Sequence, residues 1–243
     1  MSLLLIDVGN SRVKWALAQG EVWPQQGVIE KAAIEKLKSD FLHLPVPESI
    51  HISNVAGEQM EERLRSICAL WPCPVDFIAA QAEQCGVRNS YFQPSRLGSD
   101  RWAALIAAWQ QTRTSCLVVN CGTATTIDAL SDEGEFVGGL ILPGVDMMRQ
   151  SMAKGTAQLT GAAGSWHEFP RNTDDAIFSG AIQATVGAIH TQFSALSALG
   201  TPRCVLSGGA ARSVQLHLSL PVVLIDNLVL RGLQIVAEKT GSR

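Results

Sequence analysis

Two stretches of the chain carry one pattern of apolar and polar positions. In LLLIDVGNSRVKWAL, residues 3–17, an apolar run ends at Asp7, turns at Gly9 and resumes; in VVNCGTATTIDAL, residues 118–130, a second run ends at Asn120, turns at Gly122 and resumes. Such runs around a glycine predict a strand, a tight turn and a returning strand. Because Asp7 is answered by Asn120 and Gly9 by Gly122, the chain reads as two related half-domains, with their turns facing each other across a cleft. Each hairpin is followed by a third strand, at 21–29 and 136–142, which makes two meanders. Helices are expected at 31–42, 58–70 and 100–111, and short strands at 49–53 and 75–78. Pro45, Pro47, Pro72 and Pro74 act as stops.

Residues 80–99 have no clear period and read as a long loop, of the kind that often carries function. The helix after it places Trp102, Leu105, Ile106 and Trp109 on a related face. In the second half a helix is expected over 145–153, then a loop through Gly161, Gly164 and Pro170, and a long helix over 173–199. Strand, helix, strand and helix at 203–207, 210–218, 222–225 and 228–239 complete the chain. The boundary is placed near 115, giving domains 1–115 and 116–243. The alternation is an α/β pattern. The long helix carries Ala176, Gly180, Ala181, Ala184, Gly187 and Ala188, small residues that suit either a close helix contact within the chain or a dimer seam.

At 243 residues with 47% hydrophobic and 17% charged residues, the chain has the composition of a folded protein with large cores. A net charge of -3 leaves no basic surface for tracking nucleic acid. The apolar runs fall well short of the roughly 20 residues that span a bilayer, and no leader pattern precedes the first strand. No nucleic acid or membrane partner is expected, and the reading is cytoplasmic. The six cysteines form no CxxC pair, and Cys116, Cys121 and Cys204 read as small core residues. The five histidines show no ligand spacing and read as surface or satisfied core residues.

The chemistry concentrates in the turns. Gly9 lets the chain turn tightly with amide N–H groups converging on one spot, as phosphate oxygens require. Asp7 beside it is placed to hold Mg²⁺ directly or through water. Asn10, Ser11 and Lys14 add donors and a positive charge. In the second copy, Gly122, Thr123, Thr125 and Thr126 form another phosphate-facing turn. A plain hairpin with turn-forming Asp and Gly reads the same way in a single copy. Asp100 begins a helix after Gly98 and Ser99, where an acid could be a proton acceptor or merely a helix cap.

DVGNS, LGSDR at 97–101, GTATTID, GGLILPG at 138–144 and LSGGA at 206–210 together resemble a type III pantothenate kinase, of the acetate and sugar kinase/Hsp70/actin superfamily. The resemblance spans nearly the whole chain in the family's order. It implies two duplicated actin-like (ribonuclease H-like) domains with a cleft between them, and ATP-dependent phosphorylation of pantothenate to 4′-phosphopantothenate, the first step of coenzyme A synthesis, in a homodimer. By that resemblance Asp7, Val8, Gly9, Asn10, Ser11, Arg12, Val13, Lys14 and Thr123 contact ATP, with Mg²⁺ at Asp7. Tyr91, Gly98, Ser99, Asp100 and Arg101 line the pantothenate site, Thr173 reaches it from the partner subunit, and Asp100 takes the substrate's proton. LSGGA is the adenosine-side loop.

The sequence departs from the family at Asn120, where a carboxylate that helps to hold an activating monovalent cation is frequent. A K⁺ or NH₄⁺ ion is therefore expected, but its site is weakened or differently built. Asp128 is not assigned to a metal. Two other readings stand beside the kinase: a small sugar kinase, and a catalytically impaired nucleotide-binding regulatory protein of the same fold.

Overall fold

In the computed structural model, which describes residues 2–155, 164–198 and 200–240, the chain runs β1 (Ser2–Val8), β2 (Arg12–Gln19), β3 (Val22–Glu30), α1 (Lys36–Phe41), β4 (Ser49–Asn54), α2 (Glu58–Cys68), β5 (Val75–Phe77), β6 (Glu83–Gln84), β7 (Val87–Asn89) and α3 (Ser99–Thr112). It continues through β8 (Cys116–Cys121), β9 (Ala124–Leu130), β10 (Glu135–Pro143), α4 (Val145–Gly155), α5 (Thr173–Ser197), β11 (Arg203–Ser207), α6 (Ala211–Gln215), β12 (Val222–Leu224) and α7 (Leu228–Thr240). Two compact units result: Met1–Gln111 with Asn227–Arg243, and Thr112–Asp226.

The first unit is a five-stranded sheet in the order β3-β2-β1-β4-β5. β1 runs antiparallel to β2 and parallel to β4. As the central strand, β1 is covered on both faces, which is why it reads as an unbroken apolar run. Leu4, Ile6 and Val8 pack with Leu37, Phe41 and Leu64 of α1 and α2, while Leu3 and Leu5 pack with Leu230 and Leu233 of α7. The final helix thus belongs to the first unit, against β1 and β4, and not to the second half in which the sequence reading placed it. Apart from the half-buried Asp100, helix α3 is buried from Ser99 to Trp109, beyond the single apolar face expected of it. Its alanines permit this, and Gly232 of α7 lies directly on the Ala103 backbone.

Residues 80–99, expected to be a loop, contain the β6–β7 hairpin. Its turn uses Cys85 at φ 54° and Gly86 at φ 81°, the left-handed pair that a two-residue hairpin needs. A cysteine in the first of those positions gives no turn signal in sequence.

Within the second unit the strands lie in the order β12-β11-β8-β9-β10. This is the first unit's arrangement repeated, with β8 in the place of β1, β9 and β10 antiparallel beyond it, and β11 and β12 parallel on its other side. Leu117, Val119, Cys121 and Ile127 form its core with Ile182, Ile189 and Leu196 of α5. Helix α5 is capped by Asn172, whose side chain accepts the Asp175 N–H at 2.9 Å. Gly161 of the expected loop lies outside the described residues. Among the described residues no helix is long and apolar enough to cross a membrane.

Candidate active site

Asp7, one residue before the end of β1, lies between Lys14 of β2 and Ser53 of β4, its partners in register on either side. Strand alternation puts all three on the face covered by α7. The Ser53 hydroxyl lies 3.0 Å from that of Ser99, at the start of α3. There the Gly98 carbonyl accepts the Trp102 N–H at 3.0 Å, so Gly98 precedes the helix and Asp100 stands in its first turn rather than at the cap. Asp100 Oδ1 accepts the Arg101 N–H at 2.8 Å. A Cβ at position 98 would sit 2.7 Å from that same oxygen; glycine leaves the room in which the carboxylate rests.

The electrostatics follow from this packing. Burial, then the negative charge of Asp100, pushes the Asp7 pKa up to about 7, against the pull of Lys14. Asp100 is raised as well, by burial, although the backbone N–H and charge of Arg101 oppose it. Burial thus makes Asp100 a better base than an ordinary carboxylate. Two carboxylates that resist ionising together are a donor set suited to a divalent cation. Among the described residues no group of three or more His, Cys, Asp or Glu could enclose a metal, so such a cation would take its remaining oxygens from phosphate and water.

The first turn is closed by the Gly9 N–H donating to the Arg12 carbonyl at 3.0 Å. Val8 and Val13 are fully buried. Asn10, Ser11 and Arg12 are exposed, with Arg12 paired to Glu30 at 3.2 Å, a surface contact that a ligand could displace at little cost. Arg101 is buried and donates from Nη1 to the Tyr91 hydroxyl at 2.9 Å. Asn89 holds the backbone there, accepting the Tyr91 N–H at 3.1 Å and donating to the Pro94 carbonyl at 3.2 Å. Gln84 of the hairpin accepts the Trp102 indole N–H at 2.7 Å. The stretch from 84 to 102 thus forms one bonded assembly bearing Tyr91, Gly98, Ser99, Asp100 and Arg101.

In the second unit the turn is closed one position earlier, by the Gly122 N–H donating to the Ala124 carbonyl at 3.0 Å. Asn120 therefore faces Thr126, where Asp7 faces Lys14. Thr125 pairs with Cys121 and is fully buried toward the core, so its side chain is not phosphate-facing as expected. Thr123 remains in the turn, its carbonyl accepting the Gly144 N–H at 2.9 Å. Gly208, at φ 101°, lies against the Cys121 backbone, which fits the glycine requirement of the LSGGA loop. Asp128 is buried on the face that carries Asn120 and Thr126. Thr173 is the first residue of α5, cap duty falling to Asn172. It lines an apolar groove of about 480 Å³ between α4 and α5, with Met148, Met152 and Ala176.

The residue missed in the sequence is Ser53. Its one signal there was a place at the end of an alternating strand. Its partnership with Asp7 and Ser99 depends on sheet order. Cys116, Cys121 and Cys204 are free and buried as expected, their thiols pushed by burial to about 11, 12 and 12. His51 is a satisfied core histidine, its Nε2 3.0 Å from the Ser49 hydroxyl.

The family model for type III pantothenate kinase matches residues 3–195. The chain belongs to the type III pantothenate kinases. A relative of that name from Nitrosospira multiformis is 45% identical over 241 residues, covering 98% of this chain and 92% of the relative. Another, from Aromatoleum aromaticum, is 44% identical over 240 residues and 99% of both chains. Among solved structures, a Baf family protein from Campylobacter jejuni aligns with a TM-score of 0.66 at 21% identity, over 99% of this chain and 100% of that one. MreB5 of Spiroplasma citri bound to ADP aligns with a TM-score of 0.53 at 12% identity, over 98% and 97%. At these identities the structures speak for the fold alone, and this kinase has the mixed α/β, actin-like fold that the sequence implied.

Proposed function

We propose that the chain transfers the γ-phosphoryl group of ATP to the primary hydroxyl of pantothenate, giving 4′-phosphopantothenate for coenzyme A synthesis in the cytoplasm. Family membership supports the reaction. The observation that carries its placement on residues is the approach of Asp7 and Asp100, two acids with raised pKa values at one strand end. Residues 7 to 14 bind the ATP phosphates through the Gly9 turn, and Thr123 of the second unit is likewise assigned to ATP. Mg²⁺, held by Asp7, supplies charge neutralisation to the phosphates when bound. Asp100 accepts the hydroxyl proton. Tyr91, Gly98, Ser99 and Arg101 orient pantothenate, and the Arg101 guanidinium is suited to its carboxylate.

The chain acts as a homodimer in this reading. The apolar groove at Thr173 and the small residues of α5 support it, with Thr173 completing the substrate pocket of a second copy. Asn120 keeps an oxygen for K⁺ or NH₄⁺ without the charge, so activation requires high concentrations of the cation.

ADP release from MgATP, followed with pantothenate, with hexoses and without acceptor, tests the reading. Pantothenate-dependent release that rises with K⁺ or NH₄⁺ is expected, together with loss of turnover in Asp100→Asn. No pantothenate-dependent ADP under any cation, or release with a hexose alone, overturns it.

A further inference from the structure

We propose that Ser53 is a positioning residue for Asp100, acting through Ser99. The inference rests on the reading of Asp100 as proton acceptor. Ser53 is the penultimate residue of β4, with no exposed surface and in register beside Asp7. Its hydroxyl meets that of Ser99 at 3.0 Å, and Ser99 is also buried. Two hydroxyls taken out of water need partners, and here each serves the other.

The bond also sets geometry. Asp100 is fixed within its own turn by the Arg101 N–H and by the absence of a side chain at Gly98. Those restraints place the carboxylate relative to helix α3. They say nothing of where the helix start lies over the sheet. The Ser53–Ser99 bond supplies that coordinate, because Ser53 stands on the strand next to β1 at the level of Asp7. It therefore holds the proton acceptor at a set offset from the acid assigned to the metal. Without the Ser53 hydroxyl, Ser99 is left buried and unpaired, and the first turn of α3 is free to shift. A misplacement of about 1 Å in a reacting group lowers rate by about 100-fold.

The test is a double-mutant cycle on turnover, with Ser53→Ala, Ser99→Ala and the pair, assayed at a temperature where each variant is folded. Ser53→Ala is expected to lower kcat by about 10- to 100-fold while KM for ATP stays within about twofold. In the Ser99→Ala background the same substitution is expected to change kcat by less than about twofold, since its partner is already gone. A kcat for Ser53→Ala within twofold of the parent, or an equal loss in both backgrounds, overturns the proposal; a lowered melting temperature alone marks a packing bond and also overturns it. Should Ser53→Ala not fold, Ser53→Cys keeps the volume, weakens the bond and is read by the same criteria. Asp100→Asn is measured alongside. Turnover retained there refutes the role of Asp100 itself, whereas an inactive Asp100→Asn with a normal Ser53→Ala refutes only the positioning.

Discussion

Asp100 works against the ionisation of Asp7: the negative charge of the acid in the first turn of α3 adds to burial in raising the pKa of Asp7, near the end of β1, to about 7. Placing two acids where burial resists their ionisation costs the fold stability; the proposed function, with a cation at Asp7 and a proton accepted by Asp100, gives that cost a purpose.

That arrangement predicts a pH dependence. With Asp7 at about 7 in the folded chain against 3.8 as its ordinary value, the folded state binds more protons than the unfolded one across that window. Stability therefore falls as pH rises from about 4 to about 7, by at most about 4 kcal/mol. Asp7→Asn removes the part of the dependence that Asp7 contributes, leaving that of Asp100, whose pKa burial also raises. In metal-free buffer the variant should be more stable than the parent at pH 8 and lose that advantage at pH 4, while its turnover falls by at least about 100-fold. Urea unfolding of both proteins at the two pH values checks this. Equal pH slopes would mean that Asp7 ionises freely in the folded chain.

Tyr91 offers a more selective probe. Its hydroxyl accepts from Arg101 Nη1 at 2.9 Å, and both residues are assigned to the pantothenate site. Tyr91→Phe frees the guanidinium from that partner but keeps the ring beneath it. KM for pantothenate is expected to rise by about 10-fold, one hydrogen bond to a charged group, with KM for ATP unchanged. Steady-state kinetics with each substrate varied in turn would read this; a change confined to ATP would place the pair elsewhere.

Gly232 tests the packing of the returning helix. An added Cβ would collide with the carbonyl of Ala103, a backbone atom that cannot turn aside. Gly232→Ala is expected to destabilise the chain by about 2 kcal/mol or more, from overpacking between α7 and α3. Thermal unfolding measures it, and an unchanged midpoint would show that the two helices can separate without loss.

Where the sequence was sufficient, the signal was local. The hairpins at β1–β2 and β8–β9 announce themselves because alternation and glycine turns act over a few residues. The β6–β7 hairpin was hidden because Cys85 occupies a left-handed position, and cysteine carries no turn preference. Strand β11 was found at its observed limits, Arg203–Ser207, because proline, serine and glycine bracket an apolar run. For α3, a helix buried all round cannot be told by period from one buried on a single face when alanine fills the gaps.

By itself the sequence determined the duplication, the two turns and the family, and it singled out Asp7 and Asp100, to which the proposed function assigns the chemistry. These rest on residue types at short spacing, which the chain states directly. The tertiary structure alone decided what those residues face. Sheet register set Lys14 against Asp7 but Thr126 against Asn120, since one turn closes a residue earlier than the other. The parallel partner β4 brought Ser53 to Asp7 from far along the chain, and the return of α7 covered the face on which they meet. Pairing between distant strands follows from how two cores close, and no local pattern encodes it.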